Sequence, residues 1–146
     1  MTILSGAAVF QYGTQTTVIS DAVAIANTAF NAGTIAALTQ VDVCPLGDAV
    51  LAVTMAVAPA EGASFHLYRR DMNIDGANDS TVPDANFKRT HVGSFPLDLV
   101  TSAQYISLTD IPLVADQEFY IENDAGEATT GTTVVKVTPK SYNVKA

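Results

Sequence analysis

The oxygen-bearing side chains of Asp71-Met72-Asn73-Ile74-Asp75-Gly76-Ala77-Asn78-Asp79 fall at a spacing that metal chemistry uses. Asp71, Asn73, Asp75 and Asp79 match positions 1, 3, 5 and 9 of a calcium loop, with Gly76 at position 6, where a positive φ folds the chain around the ion. A hard cation needs several oxygens from one tight turn, so these four residues are the candidate metal ligands. The twelfth position, which should carry a bidentate Glu, is Val82, and Asp84 is the substitute a non-helical loop could recruit. Asp-Gly and Asn-Asp are also ordinary turn formers whose side chains cap backbone N–H groups. Turn formation is the preferred reading, calcium binding the alternative, and no other cofactor is expected.

Other chemistry has less support. His66 and His91 lie in adjacent strand candidates, but with Cys44 they lack the closely spaced ligand pairs of a structural zinc site. Cys44 is the single cysteine and cannot form an internal disulfide; Val41-Asp42-Val43-Cys44-Pro45 reads as a buried strand end. There is no Gly-x-Ser-x-Gly elbow, Gly-x-Gly-x-x-Gly turn or Walker-type loop, and the carboxylates concentrate in turns. The 11 Phe and Tyr residues mostly alternate within strand candidates, as core residues with some exposed tyrosines. Without Trp, the aromatic platforms of a carbohydrate-binding module are missing. A non-enzymatic role is expected.

A net charge of −8 argues against a nucleic-acid surface, which needs clustered cations to replace counterions along the phosphates. The seven basic residues form two groups: Arg69, Arg70, Lys88 and Arg89 flank a central loop, and Lys136, Lys140 and Lys145 mark the C-terminal stretch. They serve solubility or dock onto an acidic protein partner. With Tyr142 they are the candidate interaction residues. The first ten residues are apolar but carry no basic n-region, and no run of about eighteen apolar residues follows. Neither a membrane span nor an export signal is expected, so the chain reads as a cytosolic product.

These residues must be positioned by strands. The 146-residue length and 48% hydrophobic content suit one domain, 1–146. Residues 48–58 place Leu51, Val53, Met55 and Val57 on one face. Pro59-Ala60-Glu61-Gly62 breaks that strand, and residues 64–70 follow as the second arm of an expected hairpin, with Phe65 and Leu67 inward. Beyond the polar stretch Asp71 to Asn86 come candidates at 91–95, 103–108, 118–123 and 132–138, the last ending at Pro139 because proline cannot donate to a central ladder. With N-terminal candidates near 7–12, 16–25 and 34–43, the expectation is an all-β antiparallel sandwich, jelly-roll-like, of about eight or nine strands with one long central loop. A helix over Asp21 to Asn27 is allowed by propensity but disfavoured by the Gly and Thr around it.

The segment Phe65-His66-Leu67-Tyr68-Arg69-Arg70-Asp71-Met72-Asn73-Ile74-Asp75-Gly76-Ala77-Asn78-Asp79, followed by Val92-Gly93-Ser94-Phe95, resembles small virion proteins of tailed bacteriophages. Among these are capsid decoration, or cement, proteins. The resemblance implies a jelly-roll or related sandwich that assembles as a dimer or trimer and sits on the outer capsid surface, across seams between major capsid protein subunits. The expected function is then a structural virion protein made in the host cytoplasm, with 1–15 and 139–146 as contact arms. The alternative is a ligand-binding sandwich, for saccharide or calcium, in a tail or neck appendage.

Overall fold

The computed structural model describes residues 8–41 and 43–144. Ten strands occur among them: β1 (Ala8–Tyr12), β2 (Thr16–Asp21), β3 (Thr34–Ile35), β4 (Leu38–Thr39), β5 (Leu46–Val53), β6 (Ser64–Asp71), β7 (His91–Pro96), β8 (Gln104–Pro112), β9 (Asp116–Asp124) and β10 (Thr133–Val144). No helix occurs among the described residues, Asp21 to Asn27 included. Two antiparallel sheets result. The first runs β3-β2-β10-β5-β8, with β1 also on β10; the second runs β4-β9-β6-β7.

Alternation dictates which sides meet. On β5, Ala49, Leu51 and Val53 are buried at every second residue, and on β10 Val135 and Val137 repeat the period. Phe65 and Leu67 of β6, Phe95 of β7, and Phe119 and Ile121 of β9 face them from the second sheet. Val18 and Ile19 of β2 are both buried although adjacent. The ladder explains it: Val135 pairs with Ile19 and Lys136 with Thr17, so Val18 is the extra residue of a bulge and turns inward as well.

Several expectations are corrected. Residues 48–58 and 64–70 do not form a hairpin; β5 and β6 belong to different sheets and oppose each other across the core. Each carries buried apolar side chains at alternate positions, Ala49, Leu51 and Val53 on β5 and Phe65 and Leu67 on β6, and stacking the two faces takes both out of water. Val57 is exposed beyond the end of β5, although Met55 remains buried. The candidate at 34–43 is two short strands, β3 and β4, one in each sheet. Cys44 lies half-buried in the loop before β5, where its N–H donates to Gln40 Oε1 at 3.0 Å.

Pro139 does not end the last strand. It sits inside β10, opposite Gly47 of β5, and its carbonyl accepts from Gly13 N at 2.7 Å. In an antiparallel ladder a residue's N and C=O point to the same side. The missing N–H of Pro139 therefore faces the Gly13–Gln15 break between β1 and β2, where no strand asks for a donor.

Candidate interaction surface

β1 and β2 follow one another along the same side of β10, so the two expected arms are paired with each other. Ala8 to Tyr12 match Val144 to Lys140 in antiparallel register. On its other side β10 pairs with β5 only as far as Lys140, opposite Leu46. Beyond that point β1 and the end of β10 form a two-stranded ribbon with no further strand on either edge among the described residues. Phe10 lies opposite Tyr142, their ring centroids 4.0 Å apart, and Tyr12 adds a third ring at 6.4 Å from Phe10. All three share one face and are exposed, at 43%, 64% and 61% for Phe10, Tyr142 and Tyr12. Phe10 is thus outside the core, against the expectation of core usage, while an exposed Tyr12 falls within the expectation of some exposed tyrosines. Residues 1–7 and Lys145 lie outside the described residues.

The tail lysines have different fates. Lys136 is exposed. Lys140, expected at a contact surface, is buried: its Nζ donates to Asp48 Oδ1 at 2.5 Å and reaches Asp110 Oδ1 at 2.7 Å, and it lies 5.3 Å from the Phe10 ring centroid. The hydrogen bond to Asp110, then that to Asp48, holds its ammonium well above the ordinary lysine value. The ribbon is tied at its root by this charge.

The central basic group is likewise mostly committed. Register places Arg70 opposite Glu118 and Tyr68 opposite Tyr120 on the outer face of the second sheet. Arg70 bonds Glu118 Oε2 at 2.9 Å, Asp79 Oδ2 at 3.2 Å and the Ser80 carbonyl at 2.9 Å. Tyr120 donates to the same Glu118 oxygen at 2.9 Å, and Tyr68 donates to Glu122 Oε2 at 3.0 Å. Lys88 reaches across from the loop to the other oxygen of Glu122, a buried carboxylate. Burial, then the hydrogen bond to its glutamate, pushes each phenol up to about 12. Each carboxylate therefore has one cation and one phenol.

Arg69 forks onto Asp71, with Nε to Oδ1 at 2.6 Å, and donates to the Pro112 carbonyl at 2.8 Å. Only Arg89 of this group lacks a carboxylate partner among the described residues. The two histidines do meet: His66 Nδ1 and His91 Nε2 lie 2.7 and 3.1 Å from Ser94 Oγ, with ring centroids 5.5 Å apart.

The connection from β6 to β7 is held by its own hydrogen bonds. Asp75 Oδ1 accepts from Ala77 N and Asn78 N, and the Asn78 amide is the main cause that keeps the Asp75 carboxyl below its ordinary value. Gly76 has φ +87°, as the loop reading required. The four candidate calcium ligands are not gathered around one point. Asp71 faces Arg69, Asp79 accepts from Arg70 and Asn73 N, and Asn73 donates its side-chain amide to Asp116. Among the described residues no group of three or more His, Cys, Asp or Glu side chains is placed to hold a metal ion.

No family model, curated protein or solved structure matches this chain. Tyr142 and the two terminal stretches are contact candidates in the sequence, but Phe10 and Tyr12 are not legible there as their exposed rings, because Phe10-Gln11-Tyr12 reads as a half-buried strand. The available signal was Ser141-Tyr142-Asn143 at the other end, a polar-flanked aromatic with no apolar neighbour to pack against.

Proposed function

We propose that the chain is a structural virion protein that binds the outer surface of a phage capsid and stabilises contacts between major capsid protein subunits, acting as a homo-oligomer and without catalysis. The observation that carries this reading is the aromatic ribbon. The first and last described strands pair in one ribbon whose rings are exposed and which no further strand flanks among the described residues. Exposed rings gathered on one face are what a partner can cover by packing apolar side chains against them. In the second sheet, the ion-paired outer face and the hydrogen-bonded β6–β7 connection hold a fixed scaffold, which lowers the entropic cost of docking. The resemblance of Phe65–Asp79 and Val92–Phe95 to phage virion proteins supplies the partner.

Such a protein would act by mass action. Each copy that buries area across a capsid seam penalises states in which the seam opens. Purified protein mixed with expanded capsids and imaged should appear at regular surface positions. A Phe10→Ser, Tyr12→Ser, Tyr142→Ser variant should fold and fail to appear. Equal thermal rupture thresholds of capsids with and without the wild-type protein would refute the stabilising role.

A further inference from the structure

A recess lies between the start of the β6–β7 connection and its return, and its volume is about 240 Å³. Sites that enclose a small-molecule ligand span roughly 300–1,000 Å³. This one suits a single inserted side chain. Its wall carries Arg69, Arg89 and the side chains of Ser80, Thr81 and Thr90, with the half-exposed ring of Phe87 alongside. Neither threonine hydroxyl has a hydrogen-bond partner among the described residues.

Charge decides what fits. Arg69 is paired with Asp71, and Asp79, part of the lining, shares Arg70 with Glu118. That leaves the exposed Arg89 guanidinium as the one cation of the recess without a carboxylate partner among the described residues. A monoanion balances it. A dianion would leave a negative charge beside Asp79 and, in a chain of net charge −8, would be repelled. A planar guanidinium matches a carboxylate through two parallel hydrogen bonds, and the threonine hydroxyls can donate to the remaining lone pairs. Phe87 offers an apolar wall for methylene groups.

We infer that this recess is a docking site for one glutamate side chain of a partner protein, its carboxylate on Arg89 and its methylenes against Phe87. It stands apart from the ribbon and does not depend on the capsid reading. It separates Arg89 from the other basic residues of the central group, whose charges are consumed inside the molecule.

The test is amide and arginine Nε–H nuclear magnetic resonance on the full chain, titrated with N-acetyl-glutamate amide, acetate and inorganic phosphate at mildly alkaline pH, where phosphate is a dianion. Saturable shifts confined to Thr81, Phe87, Arg89 and Thr90 are expected with the glutamate derivative. Acetate should bind more weakly because it lacks the methylenes, and phosphate more weakly still. Arg89→Gln should weaken binding by about tenfold or more, while Lys136→Gln, which removes an exposed cation outside the recess, should leave it unchanged. Absence of saturable shifts with the glutamate derivative overturns the assignment, and so does their persistence in Arg89→Gln. Phosphate binding as tightly as the glutamate derivative overturns the charge argument, and acetate doing so overturns the side-chain assignment. Arg89 is exposed and makes no ion pair among the described residues, so the variant is expected to fold; a parallel Thr81→Val variant, expected to weaken binding severalfold, reads the same contact without altering charge.

Discussion

Raising the pH should unfold this protein through two phenols. Tyr68 and Tyr120 lie directly opposite each other on β6 and β9, 5% and 8% exposed, each donating to a glutamate carboxylate. Their pKa values are raised from 10.0 to about 12, first by burial and then by the hydrogen bond to Glu122 or Glu118. A folded-state value above the unfolded one means that the neutral phenol is favoured in the fold. The stabilisation is complete below pH 10 and is lost as pH rises through about 12. A shift of that size corresponds to about 3 kcal/mol per phenol, a large part of the roughly 5–15 kcal/mol that holds an ordinary domain together. Removing one phenol has the opposite balance. Tyr68→Phe loses its bond to Glu122, which keeps Lys88, and should cost about 1–2 kcal/mol at neutral pH. Its stability should then fall less steeply in alkali, so the two urea-unfolding curves converge. The difference between the phenolate absorbance titrations of wild type and a Tyr68→Phe, Tyr120→Phe double variant reports these two groups alone, with an expected midpoint near 12. A midpoint at the ordinary tyrosine value, or equal alkaline slopes for the two proteins, would refute the reasoning.

Three further outcomes follow from contacts described above. Gly33→Ala would put a Cβ 2.5 Å from the backbone Cα of Asp21, whose buried carboxylate accepts from Val23, Ala32 and Gly33 N–H at 2.8–2.9 Å. Overpacking and loosened hydrogen bonds should cost about 3 kcal/mol, read as a lowered urea midpoint, and a loss under about 0.5 kcal/mol would show that the segment yields freely. Lys140→Met leaves Asp48 and Asp110 facing each other without their cation, so its melting midpoint should fall; adding Asp110→Asn should restore part of the loss, and a purely additive double variant would deny the coupling. Millimolar calcium should leave the melting midpoint where an equal ionic strength of sodium leaves it, because the Asp71–Asp79 carboxylates serve arginines and turn amides; a specific rise would restore calcium as a ligand.

The fold was legible wherever a strand's own residues carry its period. Leu51 and Val53, and Phe65 and Leu67, alternate with smaller or polar residues and are buried as expected, and Phe119 and Ile121 of β9 follow the same period. What alternation cannot contain is the neighbour. Residues 48–58 and 64–70 have the same pattern whether they pair in one sheet or stack between two, and a short connection suggested pairing. Pro139 misled for a related reason: a proline lacks a donor wherever it lies, but whether a ladder needs that donor depends on Gly13, more than a hundred residues earlier in the chain.

The candidate site was legible by residue type and illegible by partner. All seven basic residues look alike in a chain of net charge −8, yet four of the described ones are drawn into ion pairs with carboxylates that the sequence gives no way to assign. Arg70 finds Glu118 because β6 and β9 are in register, Lys88 finds Glu122 because the connection folds back, and Lys140 finds Asp110 where β8 ends beside β5. On the function proposed above, contact surfaces are what this internal pairing leaves over. By that rule the docking role read for Arg69, Arg70, Lys88, Arg89, Lys136 and Lys140 together narrows to Arg89 beside the recess and Lys136 on the open face of β10. The rings at Phe10, Tyr12 and Tyr142 supply the apolar part of the surface.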